Sequence, residues 1–216
     1  DYLAVPHAPS LNLSDTSFTI EVWFLKESLN PADNSGLVSK FAGNGPNENG
    51  WGLITGAEQA GKPVMAFSVK VADKGPGSPV GSATLALKKW THVAVTRDHL
   101  SGTTNIWLNG DLYATGKPPA PPKTANALHF GVWRPPPTQY WWHGQLDEVR
   151  ISSKIRYTQK FNPPLLTIAD KDTLALWHLN EGTGEVAHDS SGNGHDGKLL
   201  GASWFGNGPE CELAAL

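Results

Sequence analysis

No stretch of ten residues in this chain repeats its apolar side chains at helical spacing; they alternate instead, which points to strands throughout. Phe18, Ile20, Val22 and Phe24 interleave with Thr19, Glu21, Trp23 and Leu25, a strand with both faces largely apolar. Met65, Phe67, Val69 and Val71 alternate with Ala66, Ser68 and Lys70. Further strands are read at Trp90–Thr96, Thr103–Leu108, Leu128–Val132, Trp142–Ile151, Thr173–Leu179 and Lys198–Trp204. Asn109-Gly110 is a strong hairpin signal returning into Leu112-Tyr113. Between the strands lie turn clusters: Ala42–Gly50, Asp73–Gly81, the prolines of Lys117–Lys123, and Arg134-Pro-Pro-Pro137. Pro163–Asp172 reads as an extended connector, and Gly206–Leu216 as a flexible tail. The expected fold is all-β, with 216 residues enough for one large sandwich.

Composition narrows the partners. The net charge of −3 argues against nucleic acid or an anionic membrane surface as the ligand. No run of 18 apolar residues exists, so no helical membrane insertion is expected. Cys211 is the only cysteine, so no disulfide forms within the chain, which a large secreted domain tolerates. No leader pattern is visible, and the chain opens inside a strand pattern at Asp1-Tyr-Leu, as a chain cut from a longer one would.

Two constellations could carry chemistry. The first is His188-Asp-Ser-Ser-Gly-Asn-Gly-His-Asp-Gly197, which packs carboxylate, amide, hydroxyl and glycine into ten residues, a mixture suited to a hard cation such as calcium. The alternative is a tight turn in which Asp189 accepts from its own backbone. The second is Trp133-Arg134, followed after the prolines by Tyr140-Trp141-Trp142. Indole faces pack on sugar C–H faces while Arg and Asn bond the hydroxyls, so Trp133, Arg134, Tyr140 and Trp141 are candidate ligand-binding residues. Alternation sends Trp142 inward and Trp141 outward. Trp23, Trp90 and Trp177 read as core, as does His92.

Evidence for catalysis is thin. Glycoside hydrolysis needs two carboxylates roughly 5–9.5 Å apart over a cleft, and no Glu-x-Asp-x-x-Glu pattern occurs. Glu21 stands alone on its strand, and Asp147-Glu148 would face opposite ways. Glu148 and Arg150 are expected to pair with each other. The eight histidines show no zinc spacing. The expectation is a non-enzyme.

Asp1-Tyr-Leu-Ala-Val-Pro-His7, Phe18–Trp23, Gly36-Leu-Val-Ser-Lys40, Trp90–Val95, Ile106-Trp-Leu-Asn-Gly110 and Gly144–Ile151 occur in that order. With the Asp189–Gly197 block, this succession resembles the laminin G-like, concanavalin A-like jelly-roll domains common in bacterial surface and secreted proteins. The resemblance implies two antiparallel sheets of roughly six or seven strands each, packed face to face. It also implies a structural Ca2+ held between two segments. Carried onto this chain, the ligands are Asp189, Asn193, His195 through its carbonyl, and Asp147. In the family the Asp-Ser-Ser-Gly-Asn-Gly loop precedes the segment like Asp1–Val5; here it comes last. Either strands 173–204 fold back to close one sandwich over residues 1–205, or the block opens a following repeat. The first arrangement is preferred, and it makes the strands at Asp1 and Trp204 neighbours.

The functional expectation is a non-catalytic, calcium-stabilised carbohydrate-binding module, lectin-like, of a secreted or cell-surface bacterial protein. Its partners would be a glycan or glycoprotein and other domains of a larger protein. The alternative is a structural or adhesion domain contacting protein.

Overall fold

The computed structural model describes all residues except 29–34, 43–47, 60–61, 73–79, 134–140, 207 and 210–216, and only the backbone at 42, 57–59, 62–63 and 82–84. The described residues form two antiparallel sheets. The larger has eight strands, in the order β13 (Val186–Ala187), β14 (Gly197–Leu200), β1 (Tyr2–Val5), β10 (Leu128–Phe130), β3 (Ser35–Ala42), β4 (Asn49–Gln59), β5 (Lys62–Lys70) and β6 (Val80–Thr84). The smaller has six, in the order β12 (Thr173–Trp177), β11 (Gly144–Ser152), β2 (Phe18–Lys26), β7 (Thr91–Arg97), β8 (Thr104–Leu108) and β9 (Asp111–Gly116).

Period-two alternation builds the core between the sheets. Leu3, Val5, Phe130, Trp51, Leu53 and Phe67 point inward from the larger sheet, and Phe18, Ile20, Val22, Phe24, Val93 and Trp177 from the smaller. Phe18 meets Phe67 at 5.9 Å between ring centroids, and Phe130 meets Trp177 at 4.9 Å. Fully burying side chains of this size contributes about 1.5–3 kcal/mol each.

The closing block takes edge positions in both sheets. β14 runs beside β1, with Tyr2 opposite Leu200 and Ala4 opposite Lys198. β12 runs beside β11, with Val149 opposite Trp177. The strand expected to reach Trp204 ends at Leu200, and residues 202–206 leave the sheet. β4 was not anticipated. Gly50, Gly52 and Gly56 break its apolar alternation, yet it carries Trp51 and Leu53 into the core.

The second apolar face of β2 is buried too. Thr19, Glu21 and Trp23 point away from the core but are at most 5% exposed, because the connector after β11 crosses them as a strap. Trp23 Nε1 donates to the Pro164 carbonyl at 2.9 Å, and Phe161 N donates to Gly110 O at 3.2 Å. The Tyr157 and Phe161 rings stack at 3.5 Å over this face, and Phe161 meets Trp107 at 5.9 Å. Trp23 is therefore buried under the strap, outside the main core.

Beneath the strap sits Glu21. Its Oε1 accepts from Arg150 Nε at 2.7 Å, and its Oε2 from Tyr157 OH at 2.6 Å, with His92 Nε2 at 3.2 Å. Burial alone would raise its pKa. The His92 bond and charge, then Arg150, then the Tyr157 bond outweigh that and bring it from an ordinary 4.5 to about 2. A carboxylate with a depressed folded pKa stabilises fully above its unfolded value and loses that contribution as pH falls through its folded value. Acid unfolding at fixed urea should therefore steepen between pH 4.5 and about 2, with about 3 kcal/mol lost across that window. A Glu21→Gln chain with the same acid profile would show the effect lies elsewhere.

Candidate functional site

Where the two sheets part at one end of the sandwich, a cleft of about 290 Å³ opens. Its walls come from β1, β10, β11 and the segment after β14, and include Tyr2, Trp90, Trp142, Asp147, Trp204 and Phe205. Three local features shape it. A Cβ at Gly144 (φ +152°) would strike the Leu25 carbonyl and lie 3.0 Å from Trp142 Nε1, so this start of β11 must be glycine. Trp142 turns inward against Phe24 at 5.6 Å, edge to face, with Lys26 Nζ 4.3 Å from its ring centroid. Trp204 is held as a wall by its Nε1 donating to the Gly184 carbonyl at 2.9 Å.

Two further rings gather around Tyr2, which lines the cleft. In β1, Leu3 and Val5 face the core, so Tyr2 faces the other way. Its ring lies 5.7 Å from Trp141 and 5.7 Å from His129. Trp141 is half-buried and bridges Val132, while Trp142 N donates to Gly131 O at 2.9 Å. Phe205, at 68% exposed, also lines the cleft. The pKa of His129 is lowered to about 4, first by burial and then by the Lys40 charge, so the ring under Tyr2 is neutral at pH 7. Lys40 is itself pushed down to about 8 by burial; its Nζ donates to Asn126 O at 2.6 Å.

Of the residues expected to bind ligand, Trp141 lies beside this cleft. Trp133 lies on the outer face of the larger sheet, edge-on to Phe41 at 5.9 Å. Its backbone presses on Gly36, where a Cβ would lie 2.5 Å from Trp133 Cα, and Ser39 Oγ donates to its carbonyl at 2.9 Å. Trp133 is half-buried there. Arg134 and Tyr140 lie outside the described residues.

Of the residues expected to bind calcium, three share one loop and the fourth does not join them. Asp189 Oδ1 accepts from Leu176 N at 3.0 Å and Ser191 N at 2.9 Å, and Oδ2 from His195 N at 3.0 Å. Partial burial would raise the pKa of this carboxyl; the N–H donors outweigh it and hold it below the usual range. The His195 carbonyl accepts from Trp177 Nε1 at 2.9 Å. Asn193 donates through Nδ2 to the carbonyls of Thr173 and Leu174, at 3.1 and 3.0 Å. Asp147 lies on β11 opposite Trp23 and lines the cleft, which none of the other three does. Among the described residues no three carboxylate, imidazole or thiol groups converge. The Asp189 oxygens and the His195 carbonyl are held by N–H groups of the loop itself and of β12, while Asp147 stands apart on the cleft wall.

Glu148 is engaged within the fold. Glu148 sits at a bulge with φ +50°. Its Oε1 bonds His178 Nδ1 at 2.6 Å and its Oε2 accepts from Thr167 N at 2.7 Å. The expected Glu148–Arg150 pair does not form, because the bulge separates the two and Arg150 goes to Glu21.

Sequence reasoning missed Asp1, Tyr2, Gln145, Trp204 and Phe205 as cleft residues. The alternation in Asp1-Tyr-Leu-Ala-Val5 could have flagged Tyr2. Nothing local brings Trp204 to the same cleft.

A family model described as the concanavalin A-like lectin/glucanases superfamily matches residues 1–160. A candidate carbohydrate-binding protein from Bacteroides ovatus superposes with a TM-score of 0.64 at 20% identity, covering 95% of this chain and 59% of that one. The chain thus spans well under two thirds of that protein. The CBM40 of a Ruminococcus gnavus IT-sialidase bound to α2,3-sialyllactose superposes at 0.52 and 16% identity, covering 66% of this chain and 78% of that one. At these identities the likeness is one of fold. No curated protein matches the chain.

Proposed function

The chain belongs to the concanavalin A-like lectin/glucanases superfamily, and from that premise we propose that it is a non-catalytic carbohydrate-binding module of a secreted or surface-bound protein. The carrying observation is the Tyr2–Trp141 ring pair standing beside a cleft that also holds Asp1, Asp147 and Gln145. Rings offer flat apolar faces to sugar C–H groups, and the polar side chains accept or donate to hydroxyls. The carbohydrate-binding proteins among the fold's relatives support the same reading.

The test is calorimetry against glycans selected from an array, with the native chain and Trp141→Ala. Removing the indole should weaken binding about tenfold, the 1.4 kcal/mol a stacked ring can supply. The chain should stay folded with only a modest fall in melting temperature, because Trp141 is half-buried and outside the core between the sheets. Equal affinity for the two chains, or a silent array, would overturn the assignment. A protein-contact role is the second reading; Leu166 and Ile168, 63% and 77% exposed on the strap, favour it.

A further inference from the structure

Inside the cleft the two sheets present apolar side chains to each other. From the larger sheet come Leu199, Leu3 and Phe130, which stand opposite one another on the adjacent strands β14, β1 and β10. All three belong to the core between the sheets, and all three line the cleft. From the smaller sheet come Leu146 on β11 and Leu179 just past the end of β12, both lining the cleft and packed against the same core. The cleft therefore reaches the hydrophobic core, while Gln145 and Ser203 give it polar side chains.

A second, independent feature marks the Leu179 wall as a built one. Leu179 has φ +58°, a left-handed backbone that bulky residues rarely adopt, and Glu148 has φ +50°. The two strained positions are tied together. Glu148 Oε1 lies 2.6 Å from Nδ1 of His178, the residue before Leu179, and Glu148 Oε2 accepts from Thr167 N at 2.7 Å. Strain of this kind persists only where the surrounding structure enforces it, and it gathers at ligand clamps. Here the side chain brought to the cleft by the strained backbone is a leucine, so the wall it holds is apolar.

A pyranose with hydroxyls on every side would press some of them against these leucines and strip their water without replacing it. A wholly apolar ligand would do the same to Gln145 and Ser203. A sugar ring that carries a methyl group meets both demands. We propose that this cleft selects a pyranose bearing a methyl, either in an N-acetyl group or as a 6-deoxy carbon, and seats that methyl between Leu3 and Leu199 on one side and Leu146 and Leu179 on the other. The inference rests on the carbohydrate-binding reading above and adds the class of sugar.

The experiment uses matched sets of terminal residues on one array, followed by calorimetry. One arm pairs N-acetylglucosamine with N-formylglucosamine, which keeps the amide and lacks the methyl; the other pairs 6-deoxyglucose with glucose. Each arm is repeated with the galactose counterparts. In the arm that supplies the ligand, the methyl-bearing member should bind about tenfold tighter than its mate, the worth of one such group in an apolar pocket. The arm that responds names the source of the methyl. Leu179→Asn should shrink the preference to about twofold or less, and asparagine adopts the left-handed backbone more readily than leucine. Leu146→Thr, which keeps a strand-forming residue on β11, serves as the second variant. Equal affinity within every pair, or a preference unchanged in both variants, overturns methyl selection while leaving carbohydrate binding standing. Silence across every set overturns the carbohydrate reading, and this proposal with it.

Discussion

Replacing Glu21 with alanine should lower the stability of the folded chain by about 3–5 kcal/mol, the cost of stripping one partner from a buried ion pair. Arg150 is 6% exposed and would be left with its guanidinium under the strap and no carboxylate. Tyr157 would lose the acceptor of its hydroxyl, and His92 the partner of its Nε2. The effect should appear in urea unfolding as a lower midpoint at unchanged slope. Glu21→Met combined with Arg150→Met should cost far less than the two single changes together, because neither charge is then stranded. Additive single effects would show that the network is not a unit. Binding of glycan should be unaffected in any variant that remains folded, since the network lies on the outer face of the smaller sheet and none of its members lines the cleft.

Asp189→Ala carries the second largest effect, about 2–4 kcal/mol, because three backbone N–H groups lose a charged acceptor together. Asp189→Asn should lie between, keeping one oxygen for Leu176 and Ser191 and losing the one that holds His195. The same thermal scans, run with calcium and with chelator, separate the two roles open to this loop. A loop clasped by its own N–H groups should melt identically in both. A rise in melting temperature with calcium, growing as the logarithm of its concentration, would show an ion bound to the folded state.

Sequence pattern alone reached most of the sheets. β2, β7 and β11 announce themselves by alternation, and Asn109-Gly110 fixes the β8–β9 turn with both residues at positive φ, 48° and 81°. β4 was hidden because its glycines interrupt the pattern, and β6 because it emerges from a loop rich in glycine and proline. Register was the harder quantity. The Asp189 loop is legible as a turn-forming block, but which donors its oxygens meet depends on β12 lying alongside. Glu21 looked isolated because Arg150 is 129 residues away along the chain. The cleft is less legible still, since it exists only where the starts of β1 and β11 and the turn after β14 come together. Trp141 could be named from its neighbours in sequence; that its ring rests against Tyr2, 139 positions earlier, could not.

The pairing of β1 with β14 has a mechanical consequence. Tyr2 stands opposite Leu200, and Tyr2 also bridges Gly201, so the outer ends of the two strands leave the sheet at the same corner. Tension applied through these ends does not shear the ladder, where all bonds would share the load; it unzips the ladder one rung at a time from Tyr2 inward. The first groups to separate are Asp1, Tyr2 and the turn into Ala202, which are walls of the cleft. A chain pulled from this corner should release its ligand before it unfolds, and stretching single molecules with and without glycan would reveal a low-force step that the ligand alone removes.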